Sequence, residues 1–171
     1  MPDTSRFLTA LRRVLKAFGR DASSKVAKVE PMPGQHGADA TVQLEPGLVR
    51  RVRLDYAPRR DGDPDPGEVV WTWVPFEERD GRGKDRPVAI VATDGRGGFL
   101  AVELTSRPHP DHVDYLAIGT GEWDASGRAS WARLDRLYRV RAGGMRREAA
   151  ALDADRYAVL ADALRSRYGW K

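Results

Sequence analysis

The chain has no cysteine among its 171 residues, which excludes disulfides, thiolate chemistry and cysteine-based zinc sites and fits a reducing cytoplasm, the expected location. Long apolar runs are missing too. Stretches such as Val88–Ala92 stop at five residues, far short of the roughly 20 that cross a bilayer, so no membrane span is expected. The N-terminus is basic but lacks an unbroken apolar stretch followed by a small-residue cleavage site, and a secretory signal is not expected. Lysine is scarce: five of 29 basic residues (Lys16, Lys25, Lys28, Lys84 and Lys171), the rest being arginine. A guanidinium presents a planar fork of donors suited to phosphate, so an arginine-rich chain of net charge +4 and pI near 9.6 points to nucleic acid or an acidic protein partner. GC-rich coding produces the same bias without either.

Hydrophobic content of 41% and charged content of 32% describe a soluble globular protein, and the length suits one domain with an appendage. Phe7, Leu8, Leu11, Val14, Leu15 and Phe18 recur at helical spacing with Arg6, Arg13, Lys16 and Arg20 on the other side, predicting a basic amphipathic helix over residues 4–19. Such a helix suits a membrane surface or nucleic acid, and more commonly packs on its own domain. Asp21 to Asp39 reads as a linker, being polar with Pro31, Pro33, Gly34 and Gly37. Ala40–Leu44 and Leu48–Tyr56 alternate like strands around Glu45-Pro46-Gly47, predicting a hairpin. The Pro, Gly and Asp of Ala57–Pro66 mark a boundary, so an N-terminal extension of residues 1–63 is expected to precede a domain of residues 64–171.

In that second part, apolar runs alternate with turn signals. Strands are predicted at Glu68–Val74, Pro87–Thr93, Phe99–Thr105, Asp114–Ile118 and Ala132–Val140, apolar enough to imply a closed core. A final helix is predicted over Ala154–Arg167, with Asp153 as its cap and Tyr157, Leu160, Ala161, Leu164 and Tyr168 as its buried stripe.

The segment Gly67–Pro87, GEVVWTWVPFEERDGRGKDRP, is a Gly-acidic-apolar strand, an aromatic, a proline, a loop and then Gly83-Lys84-Asp85-Arg86-Pro87 entering an apolar strand. Further on come a strand ending Leu104-Thr105-Ser106, then SWARLDRLYRV (Ser130–Val140), then a terminal helix. In that order these elements resemble the PemK/MazF toxins over about two thirds of the chain. The resemblance implies a mainly β, α+β fold: an SH3-like small barrel with a C-terminal helix, here carrying an N-terminal helix and hairpin. It also implies a homodimer that cuts single-stranded RNA with no metal or cofactor and is opposed by an acidic antitoxin. The family's active arginine falls on Arg86 and its active threonine on Thr105. The crowded loop after that threonine, Arg107-Pro108-His109-Pro110-Asp111-His112, departs from the usual pattern.

Metal-free RNA cleavage needs a group to accept the 2′-hydroxyl proton, a stabiliser of the phosphorane and an acid for the leaving oxygen. Arg86 fits the stabiliser, since it stays charged and can bind two phosphate oxygens. Thr105 offers a hydroxyl to the same phosphate. An ion pair with Asp85 or Glu78 accounts for Arg86 equally well in isolation, and an ordinary strand threonine for Thr105. His109 and His112 are candidate acid–base groups, or simply solvated. Arg79, Arg82, Lys84 and Ser106 are candidate RNA-binding residues, with Trp73 or Phe76 available to stack on bases. Trp71 and Trp73 point to one side of their strand and equally suit core or dimer interface. Two other readings share the barrel: a toxin that binds a protein target like the gyrase poisons, to which the tail Tyr168-Gly169-Trp170-Lys171 would matter, and a non-catalytic barrel binding nucleic acid or peptide.

Overall fold

Runs with apolar residues on both faces become central strands here, and alternating runs become edges. The computed structural model describes residues 30–59 and 61–171. The helix expected over 4–19 and the first part of the linker lie outside the described residues. Pro31–Lys171 form one compact unit. Its strands are β1 (Val42–Leu44), β2 (Glu68–Pro75), β3 (Gly83–Thr93), β4 (Phe99–Thr105), β5 (Tyr115–Gly119), β6 (Ser130–Arg133), β7 (Leu137–Val140) and β8 (Arg146–Ala151), followed by helix α1 (Ala154–Tyr168). All pairings are antiparallel, in the order β1-β7-β4-β3-β2-β8, with β6 joining β4 to β5. The path runs from β1 to β8 with no pairing between them, so the barrel is open where a closed one was expected.

β3 is buried on both faces because two apolar clusters meet on it. Val70, Val74, Val88, Ile90, Ala101, Tyr138 and Val140 pack on one side. Ala89, Val91, Val102, Leu104 and the α1 residues Tyr157, Leu160, Ala161 and Leu164 pack on the other. A bulge between Ile90 and Ala92 lets the consecutive Val91 and Ala92 both join the helix side, a placement regular alternation forbids. Asp153 caps α1 by accepting the Arg156 N–H at 2.8 Å, and Gly169 ends it in the left-handed conformation at φ 66°.

The hairpin expected at 40–56 does not form. β1 pairs with β7 (Val42↔Arg139 to Leu44↔Leu137), Pro46–Leu48 make one 3-10 turn, and residues 49–59 form a strap with no strand. The alternation read as a strand is satisfied by packing instead: Val52 and Leu54 are each 5% exposed in the helix-side core. The strap's backbone finds distant partners, Leu54 N–H on the Lys171 carbonyl at 3.1 Å and Lys171 N–H on the Val52 carbonyl at 3.2 Å. Strand β8 was not expected at all, since Arg-Arg-Glu-Ala-Ala-Ala has helical propensity. Pairing with β2 and the Arg147–Glu68 ion pair at 2.8 Å override that preference.

The single strand expected at Ala132–Val140 is interrupted. Leu104↔Ala132 pairing would continue to Ala101↔Asp135, yet Ala101 faces Tyr138. Three extra residues therefore bulge out, and Arg136 is among the residues they carry.

Asp94 fixes the β3–β4 turn, accepting the Arg96 and Gly98 N–H groups at 2.7 and 2.8 Å and Arg139 Nε at 2.7 Å. Burial opposes its ionisation, but these donors outweigh burial and hold its pKa below the usual carboxylate range. Its contribution to stability is therefore complete above the unfolded-state value and disappears as pH falls through the lower folded value. Asp94→Asn should cost about 1–3 kcal/mol at neutral pH, with the deficit shrinking below about pH 4; urea melts across pH measure both, and a deficit independent of pH counts against the account.

Candidate functional site

Arg86 lies on β3 opposite Thr72, on the face that two residues later contributes the fully buried Val88. This edge of the second apolar cluster opens into a cleft of about 320 Å³, lined by Val74, Phe76, Arg82, Arg86, Arg133 and Arg136 together with Glu77, Glu78 and Glu103. Glu103, opposite Val88 on β4, is 6% exposed, and its Oε1 lies 3.9 Å from Arg86 Nε. That separation is an ion pair but too long for a hydrogen bond. Among the described residues no hydrogen bond reaches the Arg86 guanidinium, so its donors are open to the cleft.

Behind Arg86 the charges alternate. Tyr138 donates its hydroxyl to Glu103 Oε2 at 3.1 Å, and Arg136 Nη1 donates to the Tyr138 oxygen at 3.3 Å. Burial, then the Glu103 charge, pushes the Tyr138 pKa up, so the phenol remains a donor at any working pH. Glu77 Oε1 sits 3.4 Å from Arg136 Nη2 and accepts Arg133 Nη2 at 2.8 Å. The Arg133 hydrogen bond and the Arg136 charge lower the Glu77 pKa. Arg133 also grips Asp135 with Nε and Nη2 at 2.8 and 3.1 Å. The other three arginines of the cleft have ion pairs of 2.7, 2.8 and 3.4 Å; Arg86 has the loosest.

Thr105 ends β4. Extrapolating the β3–β4 register would set it across from Arg86, but that pairing stops at Val88↔Glu103, and Leu104 and Thr105 pair instead with Ala132 and Trp131. Its Oγ1 accepts the Arg107 N–H at 3.2 Å. It lines neither the cleft above nor a second, smaller one of about 110 Å³ that holds Lys84, Arg86 and Ser106. Arg86 is thus shared between two clefts, one with Phe76 and Arg82, the other with Lys84 and Ser106.

Arg79 sits exposed at φ 51° in the β2–β3 loop. Trp73 pairs with Asp85, so strand alternation puts it on the face opposite Arg86, and it lines neither cleft. His109 stacks on Tyr115 at 3.7 Å, with His112 edge-on to the same ring at 5.1 Å and the Arg133 guanidinium 5.7 Å from its centre. Desolvation, then the charges of Arg107, His112 and Arg133, lower the His109 pKa from 6.5. The Asp114 N–H donates to His112 Nδ1 at 3.2 Å, which assigns the neutral ring's proton to Nε2. Glu103, Arg133, Arg136 and Tyr138 escaped the reading of the sequence as site residues. For Arg133, Arg136 and Tyr138 the signal was the arginine spacing inside the SWARLDRLYRV segment, and for Glu103 a lone acid in the apolar run Phe99–Thr105. Among the described residues, no three His, Asp or Glu side chains group as a metal site.

The model of the PemK-like, MazF-like toxins of type II toxin–antitoxin systems matches residues 65–167. The chain belongs to this toxin family. The match opens three residues before β2 and closes within α1, leaving β1 and the strap outside it. Solved structures similar to the chain include MazF (Form-I) from Deinococcus radiodurans, 22% identical, covering 62% of this chain and 96% of that one with a TM-score of 0.47. MazE–MazF (Form-II) and MazE–MazF (Form-III) from the same organism are each 20% identical with TM-scores of 0.47, covering 62% and 63% of this chain and 96% and 98% of theirs. No curated protein matches.

The chain of contacts behind Arg86 makes Glu103 the toxin's structural pivot. Glu103→Ala strips the Tyr138 hydroxyl of its buried acceptor and should lower stability by about 1–3 kcal/mol, and Tyr138→Phe, which leaves the buried Glu103 carboxylate without that donor and Arg136 without its acceptor, should cost a comparable amount. Equal, negligible losses in both would show that the buried network does not hold the cleft.

Proposed function

We propose that this toxin is a sequence-selective, metal-independent endoribonuclease that cleaves single-stranded RNA and inhibits growth when its antitoxin is absent. Family membership supports the class. The observation that carries the chemistry is Arg86, a cleft guanidinium held by Glu103 at 3.9 Å with its hydrogen-bond donors uncommitted. A phosphodiester presents the two oxygens such a fork takes.

In the proposed reaction the ribose 2′-oxygen attacks phosphorus, the bond to the 5′-oxygen breaks, and a 2′,3′-cyclic phosphate is left. Arg86 binds the non-bridging oxygens as charge grows on them, and the Thr105 hydroxyl, whose oxygen already accepts Arg107, donates its hydrogen to the same phosphate. His109, kept neutral by its lowered pKa, takes the 2′-hydroxyl proton; the leaving oxygen is protonated by water, and the hydroxide so formed takes the proton back from the His109 imidazolium. Phe76 is placed to stack on a base, with Arg82, Lys84 and Ser106 along the strand's path and Arg79 at the loop tip. The mainly charged lining, with Phe76 as its ring, suits a solvated substrate, and cytoplasmic RNA is the target.

The gyrase-poison-like alternative relied on a free aromatic tail. Trp170 is 7% exposed with Nε1 donating to the Val49 carbonyl at 3.2 Å, and Tyr168 donates to the Leu134 carbonyl, so that tail is engaged by its own chain. A homodimer belongs to the same proposal. It rests on what the family resemblance implies, and a monomer by light scattering would dispose of it.

Purified protein incubated with a long defined RNA and chelator should yield discrete fragments ending in cyclic phosphate. Arg86→Ala should abolish cleavage with the melting temperature retained, and Thr105→Ala should slow it by about 10²- to 10³-fold. RNA left intact, or an Arg86→Ala variant that cuts at the parental rate, refutes the assignment.

With His109 as base, kcat/KM should fall on the acid side through a pKa below 6.5. His109→Ala should lose about 10²- to 10⁴-fold together with that limb; a variant retaining the limb would assign it to another group.

A further inference from the structure

Leu44 to Ala57 and the β3–β4 turn enclose a second surface cleft, about 670 Å³ in volume, most of whose lining precedes the family match at residue 65. Its floor is aliphatic: Leu44, Leu48, Val49 and Leu100, with no aromatic ring in the lining. Leu48 is 80% exposed there, a branched side chain left in water.

Three exposed arginines, Arg50, Arg51 and Arg96, stand on the rim, and none makes an ion pair or side-chain hydrogen bond among the described residues. The acidic lining residues are already engaged: Asp94 by Arg139 at 2.7 Å, Asp65 by Arg59 at 3.2 Å and Asp55 by Arg53 at 3.6 Å. The rim is thus effectively cationic. Arg51 is moreover held at φ 58°, a left-handed conformation that an arginine adopts only under constraint from its surroundings.

We propose that this cleft docks an acidic, amphipathic peptide segment of a protein partner, its aliphatic side chains on Leu48 and Val49 and its carboxylates on Arg50, Arg51 and Arg96. Charge complementarity with an aliphatic floor selects this occupant. A single nucleic-acid strand would find the cations but no ring on which to stack its bases. The surface is built by residues other than those around Arg86, so the inference stands whether or not the toxin cleaves RNA.

The test is fluorescence anisotropy of a labelled short peptide of alternating Glu and Leu, titrated with the full chain, beside a Glu–Ser peptide of equal charge. The Glu–Leu peptide should bind saturably, about tenfold more tightly than the Glu–Ser peptide, and Arg51→Gly and Arg96→Ala should each weaken it by about tenfold. Leu48→Ser should weaken it several-fold. Arg51→Gly relieves the positive φ and should keep or raise the melting temperature, which separates lost binding from lost folding. The proposal is overturned by absence of binding, by equal binding of both peptides, by variants that bind like the parent, or by displacement of the peptide with oligouridine.

Discussion

A guanidinium carries five donors, and leaving them without acceptors beside an apolar cluster is unfavourable unless something outside the chain accepts them. Arg86 is in that position. Its strand runs straight into buried core at Val88, so the side chain cannot retreat, and among the described residues the carboxylate that pairs with it, Glu103, stands 3.9 Å away. Glu103 cannot move closer without leaving Tyr138, whose hydroxyl it accepts and whose oxygen also takes Arg136. The arrangement orients the cation through charge while leaving its hydrogen bonds unspent. Arg133 and Arg136 are different in kind, for both are tied to Glu77 and shape the cleft.

Two departures from regular pairing produce that geometry. The β3 bulge between Ile90 and Ala92 sends Val91 and Ala92 together toward α1, so the strand can be core on both faces at one end and offer Arg86 at the other. The three residues bulged between β6 and β7 let Arg136 reach Tyr138, two positions on along its own chain. Irregularities of this sort re-aim side chains at little cost to the rest of the ladder. They are built from long-range register, which neighbouring residues do not encode.

That distinction explains what was legible in the sequence. Strands β2 and β4 and helix α1 fall where alternation and helical spacing put them, β3 begins at Gly83 rather than at the predicted Pro87, and Asp153 caps the helix as its position suggested. The strap of residues 49–59 has the same alternation as a strand, but Val52 and Leu54 meet it by packing while Lys171 pairs with the backbone; period alone cannot tell the two apart. β8 was hidden by its alanines. At the site, Arg86 stood out through its Gly-x-x-Arg-Pro setting, whereas Glu103 read as one polar residue in an apolar strand. His109 looked like any solvated histidine because its stacking partner, Tyr115, and the nearby Arg133 come together only after folding.

The charge balance adds a constraint that neither site alone suggests. Residues 1–30 hold seven basic and three acidic side chains, the whole net charge of +4, leaving 22 of each sign in residues 31–171. A formally neutral unit has no net charge with which to gather a polyanion, only an uneven distribution of charge. Under the proposed function, attraction for phosphate comes from separation of charge at short range, where Arg86 is open to its cleft while Glu103 is turned inward to Tyr138. Short-range fields are less screened by salt than long-range ones when the groups are partly buried.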